Sequence, residues 1–284
     1  MDIVLIAAIV LGVIGLLSAL VLFIVARRFS VVEDGRVVAV EELLPGANCG
    51  ACGYSGCHAF AAECVSRGGV DSLLCPGAGQ EGMAKIAAIM GGGIQSVVPK
   101  VAVLRCAGEC ARRHKVAVYE GPRSCSVVNR AGAGELSCAF GCLGCGDCVA
   151  ACAFGALSID VSTGLPHIDA GKCTGCGMCS LVCPRNLIEI RPAGPRGRLV
   201  WVACSNPEKG AVARRGCEAA CIGCGKCVKA CPFGAVMLNG ALARIDADKC
   251  RLCRKCVAQC PTGAILTAGF PEVSGENVVN PVKS

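Results

Sequence analysis

The longest apolar stretch runs from Ile3 to Ala26, 24 residues without a charge, and closes on Arg27 and Arg28. As a helix rising about 1.5 Å per residue it covers about 36 Å, enough to cross a hydrocarbon layer of about 30 Å with some tilt. Only Met1 and Asp2 precede it and no small-residue cleavage pattern follows it, so it reads as a retained single-pass anchor and not a cleaved signal peptide. By the positive-inside rule the two arginines mark the cytoplasmic flank, which places everything after residue 28 on that side. Downstream the pattern breaks into short pieces. Residues 29–44 mix polar and β-branched side chains, and Asp34-Gly35 predicts a turn between Val31-Val32 and Val37-Val38. Met83, Ile86, Ala87 and Met90 recur at helical spacing and predict a helix over 81–90, stopped by Gly91-Gly92-Gly93. Residues 266–284, with Pro, Gly, Asn and Ser and no periodicity, predict a flexible tail.

Composition changes this picture sharply. The 284 residues include 27 cysteines and 38 glycines but one Trp, two Tyr and seven Phe, too few large aromatics for one big conventional core. Small units with thin cores need staples of disulfide or metal. The disulfide reading fails on three counts: the cysteine number is odd, the spacings are short and regular, and the anchor puts the thiols on the reducing side of a membrane.

The spacings themselves carry an internal repeat. Cys142, Cys145, Cys148 and Cys152 recur 79 residues later as Cys221, Cys224, Cys227 and Cys231, and Cys173, Cys176, Cys179 and Cys183 recur 77 residues later as Cys250, Cys253, Cys256 and Cys260. Each is a C-x2-C-x2-C-x3-C run, the pattern that holds a cubane iron-sulfur cluster, with three cysteines curling around one cube and the fourth, at the start of a following helix, reaching the neighbouring cube. Crossed in this way, the ligand sets are Cys142, Cys145, Cys148 and Cys183; Cys173, Cys176, Cys179 and Cys152; Cys221, Cys224, Cys227 and Cys260; and Cys250, Cys253, Cys256 and Cys231. Zinc knuckles need two C-x2-C pairs across a longer spacer, which these runs lack. Gly144, Gly146, Gly175, Gly177, Gly223 and Gly225 sit between ligands, where they permit tight turns and let backbone N-H groups approach the cluster sulfurs. Phe154 and Phe233 follow fourth ligands and are expected to shield clusters from solvent.

Two further groups are less regular. Cys49, Cys52, Cys57 and Cys75, spaced by two, four and seventeen residues, can close a four-ligand cluster site, with Cys64 a buried free thiol. Cys106, Cys110, Cys125 and Cys138 make one further candidate four-thiolate site. Cys204 and Cys217 occupy places in the second repeat resembling Cys106 and Cys138 and read as vestiges of an older site. Five clusters, with a sixth in the middle segment, are therefore expected. The formal charge of +7 counts cysteine as neutral, and six all-thiolate cubanes at roughly −2 each would contribute roughly −12, which removes the support that a basic composition lends to nucleic-acid binding. Gly77 to Gly82 matches G-x-G-x-x-G, but it follows Cys75-Pro76 instead of a strand and no acidic residue lies at the expected distance beyond it. His58, His114 and His167 are isolated, and no catalytic constellation is visible, so flavin and NAD are expected on other chains.

The fold expected is a set of α+β small iron-sulfur domains: a transmembrane anchor (1–28), a juxtamembrane linker with a 4Fe-4S domain (29–98), a cysteine-containing middle segment (99–141), a dicluster ferredoxin-like module (142–192), a linker (193–220), a second such module (221–265) and the tail (266–284). With the anchor, L-P-G-A-N-C-G-A-C-G-Y-S-G-C over residues 44–57 and the ferredoxin motifs together, nearly the whole chain resembles the B-subunit family of the Rnf complex, the ion-translocating ferredoxin:NAD oxidoreductase of bacteria. The resemblance implies a subunit of a translocase in the inner (cytoplasmic) membrane that exchanges electrons with soluble ferredoxin and passes them towards the membrane and NAD-reactive Rnf subunits, with no complete catalytic site of its own. The other readings are an electron relay for a hydrogenase-type or corrinoid-reducing membrane enzyme and a zinc-binding structural protein.

Overall fold

The computed structural model describes residues 2–28, 34–93, 98–132 and 134–271. Helix α1 (Asp2–Arg28) is apolar until Arg27 and Arg28 in its last turn, and an 18-residue window within Leu5–Arg28 has a mean hydropathy of 3.0, so the helix is long and apolar enough to cross a membrane.

Three helices follow, α2 (Gly35–Glu42), α3 (Cys57–Arg67) and α4 (Gly79–Met90), and close a small core around Val40, Phe60, Cys64 and Ile86. The turn expected at Asp34-Gly35 is instead a helix start. The Asp34 carboxylate accepts the Arg36 N-H at 2.9 Å, the N-cap role that aspartate plays well, and Val37 and Val40 are buried on one face of α2. Val31 and Val32 lie outside the described residues. Helix α4 buries Met83, Ile86, Ala87 and Met90, as their spacing predicts, and ends where Gly91 turns to φ +77°.

The remainder is two copies of one plan. In the first, β1 (Lys100–Leu104) pairs antiparallel with β4 (Ile188–Pro192), enclosing the hairpin of β2 (Leu157–Asp160) and β3 (Leu165–Ile168). In the second, β5 (Leu199–Val202) pairs with β8 (Ile265–Ala268), enclosing β6 (Val236–Asn239) and β7 (Leu242–Ile245). Each module therefore opens with a strand upstream of its first cysteine motif. The segments expected as middle segment and linker supply these strands, and residues 266–268, expected as tail, complete β8. Short apolar runs without alternation carry no period that distinguishes them from loops. The reason for the missing alternation is visible in β1: Ala102 and Leu104 face the core of their own module, while Val101 and Val103 face a core shared with the second module. The Trp201 indole on β5 seals the seam by donating to Leu104 O at 2.8 Å.

Candidate cluster-binding sites

Each C-x2-C-x2-C-x3-C run folds as a loop closed by one helical turn: α6 (Asp147–Ala150), α7 (Met178–Leu181), α8 (Lys226–Lys229) and α9 (Lys255–Ala258). The third cysteine lies inside this turn, and the fourth, expected to begin a helix, follows its end. The loop needs a left-handed backbone at the second and fourth residue after its first cysteine. Glycine supplies it at 144 and 146, 175 and 177, and 223 and 225, whereas the last motif holds Leu252 at φ 57° and Arg254 at φ 60°. Non-glycine residues in that region carry strain that the surrounding structure must hold, a feature that clusters at functional sites.

In three of the crossed sets the fourth cysteine of one motif lies with cysteines of the other. Cys152, Cys173, Cys176 and Cys179 line one cavity of about 10 Å³, and Cys221, Cys224, Cys227 and Cys260 line another of about 20 Å³. Cys142, Cys148 and Cys183 line a third of about 20 Å³, with Cys145 on the same loop. In the fourth set Cys250 and Cys253 lie close enough to Cys256 to raise its pKa electrostatically. Backbone N-H groups aim at the sulfurs: Ala156 to Cys152 (3.3 Å), Leu187 to Cys183 (3.4 Å), Ala102 to Cys173 (3.4 Å) and Ala243 to Cys221 (3.5 Å). Burial pushes the thiols up, Cys148 to about 11 and Cys179 and Cys256 to about 12. Iron must therefore displace their protons on binding.

In the N-terminal unit Cys57 opens α3, and its N-H donates to Asn48 Oδ1 at 2.7 Å. Cys52, Cys57 and Cys75 lie within electrostatic reach of one another, Cys49 is half-buried on the same loop, and Cys64 is fully buried within α3. Gly77, two residues beyond Cys75, packs so closely on Phe154 that a Cβ there would lie 3.0 Å from its ring. Phe154 also lines the cavity of Cys152, Cys173, Cys176 and Cys179, so this unit abuts the first module at a cysteine pocket. Phe233, by contrast, is 48% exposed and shields little.

The four middle cysteines do not share one site. Cys125 opens α5 (Cys125–Arg130), held by the Asp147 carboxylate, which accepts its N-H at 2.9 Å, and its thiol lies by that of Cys145, adding to the rise that burial gives the Cys145 thiol. It thus joins the cavity of Cys142, Cys148 and Cys183, at an irregular spacing that gives the sequence no signal for it. Cys110 is exposed, beside the Gly164 turn and Arg113 Nη2 at 3.2 Å. Cys106 and Cys138 instead face a cavity of about 30 Å³ together with Cys204 and Cys217.

The 4Fe-4S dicluster domain family matches residues 141–187, 172–235 and 220–264, and an Fe-S cluster family matches residues 44–76. The chain is 45% identical over 243 residues to the B subunit of the Na(+)-translocating ferredoxin:NAD(+) oxidoreductase complex of Acetobacterium woodii, covering 85% of this chain and 71% of the relative. It is 39% identical over 250 residues to the B subunit of the proton-translocating ferredoxin:NAD(+) oxidoreductase complex of Clostridium ljungdahlii, covering 88% and 87%. It is 38% identical over 241 residues to the B subunit of the ion-translocating oxidoreductase complex of Methanosarcina acetivorans, covering 85% and 89%.

Proposed function

The chain belongs to the B subunits of ion-translocating ferredoxin:NAD oxidoreductase (Rnf) complexes and is an iron-sulfur electron-transfer subunit of such a complex, and from that premise we propose how its residues divide the work. Five four-thiolate sites hold the clusters: Cys49, Cys52, Cys57 and Cys75, then the four crossed ferredoxin-type sets. The residues present fit such groups, because two crossed sets share a cavity, a third brings Cys142, Cys148 and Cys183 to one, and each of the three receives a backbone N-H donor at sulfur. When bound, the clusters supply one-electron redox chemistry. The chain's own contribution is to supply the thiolates, aim N-H dipoles that set potentials, and keep water from the sulfurs.

The observation that carries the relay reading is the continuity of sites: the Cys75 loop rests on Phe154 at the second cysteine pocket, and that pocket shares its module with the first. In this arrangement the two modules form the docking end for soluble ferredoxin, and the Cys49 group lies nearer the membrane, with the anchor in the inner membrane and the modules on its cytoplasmic side. Flavin and NAD belong to the other Rnf subunits. The test is a Cys49→Ala variant in the assembled complex. It should keep the ferredoxin-type cluster signals and lose ferredoxin-to-NAD turnover; full turnover would sink the placement.

A further inference from the structure

Neither repeat completes the middle cavity alone. Cys106 and Cys138 come from the first module, and Cys204 and Cys217, in the corresponding places, come from the second. The two halves are stitched together around it, with the Ala107 N-H donating to Ala203 O at 2.8 Å, the Glu218 N-H to Arg112 O at 2.9 Å, and Arg113 bridged to Cys217. The cavity, at about 30 Å³, is no smaller than those of about 10 to 20 Å³ at the ferredoxin-type sites. A Cβ built on Gly108 would lie 3.2 Å from Cys217 Sγ and 3.5 Å from Cys106 Sγ, so two sulfurs from different modules border the same small space.

The sulfurs are furnished for negative charge. Cys106 Sγ accepts from the Cys142 N-H at 3.4 Å; burial pushes the Cys106 and Cys204 thiols up, and the N-H groups of Cys142 and Gly108 at Cys106 and of Cys221 and Asn206 at Cys204 oppose that rise. These are the same two positions in each repeat: the residue two beyond, and the first ligand of that module. The Asn206 Nδ2 donates to Cys138 Sγ at 3.7 Å, and the Ala219 N-H opposes the rise that burial imposes on the Cys217 thiol. Around them, carbonyls position four guanidinium groups: Arg105 on Cys204 O, Arg113 on Cys142 O, Arg185 on Gly141 O and Arg112 on Thr262 O. A merely buried thiol needs none of this, whereas a four-thiolate cluster with net negative charge needs both donors and cations.

We propose that Cys106, Cys138, Cys204 and Cys217 bind a sixth 4Fe-4S cluster at the seam between the two modules, bridging them, and that Cys110 and Cys125 are not its ligands. Loading forms four iron-cysteine bonds and releases four thiol protons to water. Each half of the site adjoins the first ligand of its own module, the Cys142 amide donating to Cys106 Sγ and the Cys221 amide lying by Cys204, so the cluster would join two dicluster units that otherwise have no shared redox group. This rests on the relay reading above, and the experiment separates the two.

Iron, acid-labile sulfide and zinc are measured per chain on the anaerobically purified full-length protein in detergent. The parent should hold about 24 irons, a Cys204→Ala/Cys217→Ala variant about 20, and a Cys110→Ala variant about 24, with no zinc. A parent of about 20 irons indifferent to Cys204 and Cys217 would overturn this site alone, as would a loss of about four irons in Cys110→Ala, or zinc that disappears in the double variant. A parent without iron would overturn the relay reading with it. Should the double variant collapse, Cys217→Ser, which can retain iron through oxygen, should shift the reduction midpoint of one cluster signal in an EPR-monitored titration; an unchanged set of midpoints would overturn the site.

Discussion

Replacing Arg191 by methionine should loosen the two modules from each other. Arg191 lies on β4 of the first module, 4% exposed, and donates across the seam to Val200 O on β5 at 3.2 Å and to Ile245 O at the end of β7, with Nε 3.6 Å from Glu189 Oε1. A hydrogen bond from a charged donor contributes about 1.5–3 kcal/mol, so two contribute about 3–6 kcal/mol. Methionine keeps part of the aliphatic packing and removes the burial cost of the guanidinium, which together return about 1–2 kcal/mol. The net loss is then about 1–5 kcal/mol, and with a urea slope of about 2 kcal/mol/M the midpoint falls by about 0.5–2.5 M. The assay is anaerobic urea titration of the loaded full-length protein, followed by the visible absorbance of its clusters. Lys249→Met is the control, because Lys249 Nζ sits 3.7 Å from Asp246 Oδ2 with its side chain 60% exposed, and such surface pairs contribute under about 1 kcal/mol. A midpoint for the Arg191 variant within about 0.3 M of the parent would refute the seam clamp.

Asn48→Ala removes the acceptor for the Cys57 N-H and should destabilise the start of α3 by about 1 kcal/mol, so a chelator should strip one cluster faster than from the parent or from Asn48→Asp; equal release rates would count against it. Gly223→Ala places a Cβ 2.7 Å from Ala241 O at φ +66° and should cost about four irons per chain, whereas Gly240→Ala, at φ +60° with open space around it, carries only about 1–2 kcal/mol of backbone strain and should keep them. In the metal-free chain, burial raises Cys148 to about 11 and Cys179 and Cys256 to about 12, from an ordinary 9.0. Unfolded thiols therefore ionise first, and the stability present below pH 9 should be lost as pH climbs through 9 towards 12; a thermal midpoint flat from pH 7 to pH 10.5 would contradict this.

The chemistry of this protein was legible because its ligands are local. Three cysteines spaced by two residues each curl around something of cluster size while the fourth reaches the neighbouring motif, and four such runs in two matched pairs name the modules without a structure. The amphipathic helix over residues 81–90 was legible for the same reason, since its period lies within one segment. Asp34-Gly35 misled because the same pair suits a hairpin turn and a helix N-cap, and the choice falls to Val37 and Val40 burying against α3 and α4.

By itself, then, the sequence determined the apolar span at residues 3–26, the cysteine loops, the duplicated plan and the family. Only the tertiary structure decided how the copies meet. That β1 and β5 are strands, that Cys125 sits against Cys145, and that Cys106 and Cys138 find their partners in Cys204 and Cys217 all depend on contacts between segments tens of residues apart. The physical reason is the same in each case. A loop around a cluster is specified by spacing along the chain, whereas a site assembled from two modules is specified by the face each presents to the other, and that face exists only once both have folded.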